Sequence, residues 1–304
     1  MPTERPPTID PAAAARWQSL VPAASPWLHE EVARRMEERL ALIRLQPAVW
    51  AHWEPLHGGM AAHVQLTRRY PDSVCFVVSS KEKHVESARK IIAKPWWHLA
   101  SWKTPRAAKT QFERSPDGAA QMLWANMTLH MAADPQALIA AWHKALAVDG
   151  FLMFSCFGPD TLRELRGLYR QIGWPVPSHE FTDMHDWGDM LVASGFAEPV
   201  LDMERITLSY ETPERLLAEL RTLGRNLHPS RFPALRGRGW LLRLTRALKE
   251  QLADPADGGR LKLTFEVVYG HAIKPARRLA MAAETTVSLD EMRKAIRGTK
   301  GPAS

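Results

Sequence analysis

The 304-residue chain has few of the features that would place it outside the cell or in a membrane. Its two cysteines, Cys75 and Cys156, lie inside apolar runs typical of buried strands, so we expect reduced core thiols and no disulfide or zinc site. No apolar run reaches the roughly 18 residues that a membrane-spanning helix needs, and the first residues lack the basic and apolar segments of a secretion signal. The sequence therefore predicts a cytoplasmic protein without a metal centre.

Acidic residues are absent from one long basic stretch. Between Arg221 and Lys249 there are eight lysines and arginines and no Asp or Glu, in a chain of net charge +7. Such a stretch attracts polyanions. An acidic protein partner fits it at least as well as nucleic acid, because no recognisable nucleic-acid-binding module accompanies it. A simple solvated basic face is an equally good interpretation.

The chain does contain a clear alternation of strand and helix patterns. Apolar runs predict buried strands at residues 48–53, 74–78, 121–126 and 151–157, and amphipathic patterns predict helices at 27–43, 61–69, 81–92 and 135–146. Beyond Gly158, the patterns predict helices at 159–172, 186–194, 213–223 and 239–252 and strands at 206–210 and 261–272. This alternation predicts an α/β fold with a mostly parallel sheet covered by helices on both faces.

The sequence also predicts a domain organisation. Residues 1–24, rich in Pro and Ala, indicate a flexible arm with at most one short helix, and residues 275–304 indicate a mobile basic tail. Residues 25–274 form one domain, in which segments 158–176 and 212–259 make a helical cap over the carboxyl ends of the strands. Between residues 93 and 116 we expect one irregular strand.

The turn after the first predicted strand has few glycines for a nucleotide-binding turn. Glu54 ends the strand, and Gly58 and Gly59 remain where such a turn usually carries three glycines. Leu56 and Met60 stand where a backbone would approach a ligand. Two interpretations remain open at this point, a nucleoside site or a turn without a ligand in which Glu54 caps a helix.

Three longer strings carry a family resemblance: FSCFGPDTLRELRGLY (154–169), HEFTDMHDWGDMLVASGFAEPVLDMERITLSY (179–210) and FEVVYGHAIKP (265–275). They resemble the malonyl-acyl-carrier-protein O-methyltransferases of biotin synthesis, and the likeness extends from residue 28 almost to residue 275. These enzymes belong to the class I S-adenosylmethionine-dependent methyltransferases, which have a Rossmann-like, mostly parallel sheet and an antiparallel closing strand. The resemblance implies a cytosolic enzyme that transfers a methyl group from S-adenosyl-L-methionine to the free carboxylate of malonyl-acyl-carrier protein.

The resemblance also implies cofactor-binding residues. In the register of the family turn, Asp-x-Gly-x-Gly-x-Gly, Glu54 is the acid and Gly58 is the middle glycine, whereas the side chains of Leu56 and Met60 would intrude on the ligand. At the end of the second strand, Ser79 or Ser80 replaces the acid that binds the ribose hydroxyls, and Asn126 fits the family pattern at the end of the third. The expected cofactor-binding residues are Glu54, Gly58, Gly59, Ser79 and Asn126.

For the substrate, Arg163 and Arg166 lie three residues apart on one helix and could clamp the malonyl carboxylate. Pairing with Asp160 and Glu164 on the same helix is the alternative. The family usually has a tyrosine before its first helix, and this chain has Val21 and Pro22 there. Because acyl carrier proteins are acidic, we expect one to dock on four arginines of the basic stretch: Arg236, Arg238, Arg243 and Arg246.

Plain structural roles are expected for most other conspicuous residues. His130 and His185 are expected to be structural, and Trp50, Trp53 and Trp124 to be core residues. Two other functions remain open. One is a catalytically inactive methyltransferase-fold protein that serves as a binding or regulatory partner, and the other is a methyltransferase that acts on a different small acid.

Overall fold

One mixed sheet organises residues 9–92 and 109–276, which are the residues that the structure, a computed structural model, describes. Its strands are β1 Val49–Trp53, β2 Val74–Val78, β3 Lys109–Gln111, β4 Ala120–Ala125, β5 Leu146–Phe157, β6 Ala197–Tyr210, β7 Ala253–Asp254 and β8 Arg260–Ile273. The order is β3-β2-β1-β4-β5-β8-β6, with β7 beside β8. Strands β1 to β5 pair in parallel, and β8 runs antiparallel between β5 and β6. This confirms a mostly parallel sheet with an antiparallel closing strand.

Helices cover both faces of this sheet. They are α1 Pro11–Gln18, α2 Trp27–Arg39, α3 Pro55–Gly58, α4 Met60–Arg69, α5 Glu82–Ile92, α6 Pro135–Ala145, α7 Arg163–Gln171, α8 Met184–Ala193, α9 Pro213–Leu223 and α10 Arg238–Leu252. Neighbouring strand residues such as Trp50 and Ala51 belong to two different hydrophobic clusters, because side chains alternate across a strand. Helices α2, α4, α9 and α10 pack in one cluster, and α6 and α8 in the other. Within the described ranges, no helix has both the length and the apolar character needed to cross a membrane.

Two strands differ from the sequence prediction. Strand β6 begins at Ala197, well before the predicted residue 206. It is an edge strand in which exposed residues largely alternate with partly buried ones and polar residues interrupt the apolar ones, so it has no continuous apolar run. Strand β5 contains the predicted turn at Asp149, where a φ of 61° and a register shift opposite β4 form a bulge. Of the irregular segment predicted at 93–116, residues 93–108 lie outside the described residues, and β3 begins directly after them.

Within the arm predicted for residues 1–24, the described residues include the short helix α1, which packs against the rest of the chain. The Asp10 carboxylate accepts hydrogen bonds from the first turn of α1, and its second oxygen lies 2.6 Å from Arg231. Trp17 is 8% exposed and packs in a cluster with Met131 and Leu227. The sequence shows no local sign of this packing, because the partners of this helix lie far away in the sequence. Residues 277–304, most of the predicted tail, are outside the described ranges.

Candidate active site

The first cavity lies at the carboxyl ends of β1, β2 and β4 and has a volume of about 370 Å³. This is within the size range of small-molecule sites, and strand ends are where open α/β folds bind ligands. The walls come from the strand ends, from α1 and from α5, and include Trp17, His29, Trp53, Glu54, His57, Ser79, Ser80, His84, Met127, Thr128, Met131 and Leu223. Trp50 and Trp124 are fully buried core residues, as predicted, whereas Trp53 reaches this wall.

Glu54 joins the ends of β1 and β2 at the wall of the first cavity. Its backbone has a φ of 49°, its N–H donates to the Val78 carbonyl at 2.7 Å, and its carboxylate accepts from the Ser80 N–H at 2.5 Å. The second carboxylate oxygen lies 3.6 Å from His84 Nδ1. Burial raises the pKa of the Glu54 carboxyl, but the nearby His84 imidazole and the hydrogen bond from Ser80 outweigh burial, so the net pKa lies below its ordinary value. The cavity wall therefore carries a negative charge at neutral pH.

The paired glycines hold the turn against its neighbours and do not line the cavity. A Cβ on Gly58 would lie 2.5 Å from the Asn126 carbonyl oxygen, and Gly59 has a φ of 126°, so neither position accommodates a side chain. The Asn126 amide donates to the carbonyls of Gly58 and His29, and its oxygen accepts from Ser155 at 2.6 Å. The Asn126 side chain is therefore fully engaged behind the wall. Of the five predicted cofactor residues, the structure brings Glu54 and Ser79 to the cavity.

Leu56 and Met60 do not obstruct the first cavity. The short helix α3 turns Leu56 into the main hydrophobic cluster, where it is 2% exposed, and Met60 packs against the same cluster. The Met60 N–H donates to the Glu30 carboxylate of α2 at 2.9 Å. The intrusion predicted from the sequence is therefore wrong, because the helical turn directs both side chains away from the ligand space.

Several polar atoms in the walls of the first cavity have no hydrogen-bond partner within the described part of the chain: His29 Nε2, Glu54 Oε2, His57 Nε2, Ser79 Oγ and Thr128 Oγ1. A buried polar atom without a partner costs about 1–3 kcal/mol. A ligand that carries several hydrogen-bonding groups is the simplest partner for such atoms. The wall therefore fits the hydroxyls, amine and ring nitrogens of an adenosyl amino acid better than an apolar ligand.

The second cavity, of about 350 Å³, adjoins the first and shares Met131 and Leu223 with it. Apolar residues of α7, α9 and α10, among them Leu165, Tyr169, Leu217, Leu220, Trp240 and Leu244, supply most of its wall. The polar residues of the wall include His130, Ser178, His179, Arg221, Arg225 and Asn226. Burial lowers the pKa of His179 to about 4 and that of His130 well below its usual range, so both imidazoles are neutral at physiological pH.

The predicted substrate arginines, Arg163 and Arg166, line neither cavity. Arg163 lies 3.1 Å from Glu164, and Arg166 donates to the Pro159 carbonyl. The apolar face of α7 lies toward the second cavity instead. The structure thus agrees with the alternative of internal pairing for Arg163 and does not bring the predicted clamp to the site.

The four arginines predicted to dock a partner lie at or near α10. The Arg236 guanidinium covers the rings of Trp240 and Phe232 at 4.2 and 4.4 Å, and the other three arginines are exposed. Leu244 and Leu248 bury the opposite face of α10. Among residues 9–92 and 109–276, none of the four forms an ion pair, and no group of three or more His, Cys, Asp or Glu could hold a metal ion.

Comparisons with known proteins agree with this architecture. No family model matches the chain. The chain is 36% identical over 262 residues to the malonyl-[acyl-carrier protein] O-methyltransferase of Gallionella capsiferriformans, covering 84% of this chain and 87% of that protein. It is 35% identical over 258 residues to the protein of the same name from Laribacter hongkongensis, covering 83% and 84%.

Among solved structures, a proposed methyltransferase from Bacillus halodurans C-125 superposes with a TM-score of 0.52 at 12% identity, covering 81% of this chain and 100% of that one. This likeness shows the fold alone. The sequence relatives confirm the resemblance carried by the three long strings, and the chain belongs to the malonyl-[acyl-carrier protein] O-methyltransferase family of S-adenosylmethionine-dependent methyltransferases.

Proposed function

We propose that this chain transfers a methyl group from S-adenosyl-L-methionine to the free carboxylate of malonyl-acyl-carrier protein, as biotin synthesis requires. The observation that supports this most is the pair of adjoining cavities. One lies at the strand ends, and the other lies beside α7, α9 and α10. A methyl donor and an acyl acceptor placed in the two cavities would meet at their common wall.

The residues of the first cavity are suited to hold the cofactor. When bound, S-adenosyl-L-methionine supplies a methyl group already activated by its sulfonium. Glu54 offers a carboxylate oxygen that accepts no hydrogen bond within the described residues, Ser79 lies where the family acid would bind the ribose, and Trp53 offers an aromatic surface. This chain supplies binding, orientation and exclusion of water, because a carboxylate acceptor is ionised and nucleophilic without a catalytic base.

The inactive alternative predicts a first cavity filled by side chains, and the cavity is open. The proposal is tested by incubating the purified chain with methyl-labelled S-adenosyl-L-methionine and either malonyl- or acetyl-acyl-carrier protein. We expect a labelled methyl ester on the malonyl form alone. Bound cofactor without transfer to malonyl-acyl-carrier protein would instead favour another small acid as the acceptor.

The carrier protein would dock on the basic face formed by Arg236, Arg238, Arg243 and Arg246, in the cytoplasm. Reversal of all four to Glu should weaken carrier-protein binding at low salt and remove most of its salt dependence, since exposed charges act over about 10 Å at 0.1 M salt. Reversal of four exposed cations elsewhere, Arg44, Arg68, Lys83 and Lys90, is the matched control. An equal loss in both variants would show that net charge, and not this face, attracts the partner.

A further inference from the structure

We infer that Arg225 binds the carboxylate of the methyl acceptor at the boundary between the two cavities and thereby selects acyl thioesters that end in a carboxylate. This inference rests on the proposed function and adds the residue that determines acceptor specificity. The sequence gives no reason to single out Arg225 from the other arginines of the basic stretch.

The first argument is position. Arg225 follows α9 and lines the second cavity beside Gly224. Its guanidinium carbon lies 5.4 Å from the ring centroid of Trp17, and Trp17 lines the first cavity. The guanidinium and the indole thus connect the walls of the two cavities. A carboxylate held there would lie next to the space assigned to the methyl donor.

The second argument is that the guanidinium is fixed in place. Its Nη1 donates to the Gly224 carbonyl at 2.8 Å and to the Arg221 carbonyl. The Trp17 ring supports the same group by a cation–π contact. Nη1 is thereby occupied, while Nε and Nη2 have no hydrogen-bond partner among residues 9–92 and 109–276. These two groups form the edge with which arginine binds a carboxylate in two-point fashion.

The third argument is charge. In the described part of the chain, no Asp or Glu forms an ion pair with Arg225, whereas Arg163, Arg205 and Arg231 each have a carboxylate partner. Arg225 is exposed at the mouth of the second cavity, and the protein atoms around its guanidinium, and then repulsion from Arg221, lower its pKa. A cation without a counter-ion favours an anionic ligand.

The charge also bears on product release. Methylation forms a bond between a carboxylate oxygen and the methyl carbon, and the carbon–sulfur bond breaks with its electron pair moving to sulfur. The acceptor loses its negative charge, and no proton is transferred. The ester therefore loses its ionic attraction to Arg225, so the residue holds the substrate more tightly than the product.

The test uses malonyl-pantetheine and acetyl-pantetheine, because these thioesters lack the carrier protein and do not depend on the basic docking face. Binding of each is measured by calorimetry on the full chain in the presence of S-adenosylhomocysteine. We expect the wild-type protein to bind malonyl-pantetheine about 10-fold or more tightly than acetyl-pantetheine. Arg225→Gln should remove this preference by weakening malonyl-pantetheine alone, and Arg225→Lys should retain part of it.

Arg215→Gln is the matched control, because Arg215 is an exposed arginine of the adjoining helix α9 that lines neither cavity. It should retain the wild-type preference. A wild-type preference that survives Arg225→Gln, or that Arg215→Gln also removes, would overturn the role of Arg225 and leave the proposed function standing. A wild-type protein without any preference for malonyl-pantetheine would contradict the proposed acceptor itself, and with it this inference.

Discussion

The two cavities differ in what builds them. Strand ends position Glu54 and Ser79 in the first cavity, and several of its wall residues carry polar atoms without a partner among the described residues. Helix faces build much of the second cavity, where His130, Ser178 and His179 also carry polar atoms without a partner in the described part of the chain and where two arginines come from the end of α9. Parallel pairing brings the residues that directly follow each strand to the carboxyl edge of the sheet. The residues that line the first cavity can therefore be read from the positions of the strands in the sequence. The chemistry of the second cavity depends on which face each helix buries.

The largest expected effect is a loss of affinity for the cofactor product in the first cavity. Glu54→Ala removes the carboxylate at the cavity wall and the acceptor of the Ser80 N–H, so affinity for S-adenosylhomocysteine should fall about 10- to 100-fold. Calorimetric titration measures the loss, and Glu86→Ala, at an exposed site on α5 away from both cavities, is the control. An unchanged affinity in Glu54→Ala would show that the cofactor does not bind at the end of β1.

A pair of glycine substitutions compares the turn beside the first cavity with the helix beside the second. Gly58→Ala places a methyl group against the Asn126 carbonyl and should lower the free energy of unfolding by about 1–3 kcal/mol. Gly167→Ala lies on α7 with open space around it and should raise that free energy by about 0.5–1 kcal/mol. Urea denaturation measures both. Equal effects of the same sign would contradict the close packing of the turn.

Acid should destabilise both cavity walls. Burial lowers the pKa of His29, in the first wall, and of His179, in the second, to about 4 in the folded chain. The unfolded chain therefore binds more protons than the folded chain between about pH 6.5 and pH 4, and stability falls as pH falls through this window. Each histidine contributes a slope of up to about 1.4 kcal/mol per pH unit.

The contributions of His29 and His179 to this pH dependence can be measured separately. Urea midpoints measured at pH 7.5, 6 and 5 should decrease with pH in the wild-type protein, and less steeply in His29→Gln and in His179→Gln. His185→Gln, at an exposed position on α8, should leave the slope unchanged. A wild-type stability that stays constant from pH 7.5 to 5 would show that these imidazoles are not buried.

Several strands and helices could be predicted from the sequence. Val74–Val78 and Pro213–Leu223 have the predicted bounds, because a β-branched apolar run and an amphipathic pattern led by proline are local signals. The carboxylate at the cavity wall, Glu54, also follows from such a signal. Leu56 was misplaced because the family register does not reveal that a short helix turns its side chain into the core.

The second cavity was less predictable for a physical reason. Helical spacing shows that Arg163 and Arg166 share a side of α7, but the buried residues Leu165 and Tyr169 decide which side faces the cavity. Arg225 gave no local signal at all, since its platform, Trp17, lies on the amino-terminal helix. Contacts between residues so far apart in sequence depend on tertiary packing.

The most direct test of the account is a titration of the folded chain with S-adenosylhomocysteine, followed by calorimetry and by tryptophan fluorescence, since Trp17 and Trp53 line the first cavity. We predict saturable binding to one site with a Kd on the order of micromolar, about −8 kcal/mol. The absence of binding at millimolar ligand, in protein that still unfolds cooperatively, would contradict the assignment of the first cavity to the cofactor.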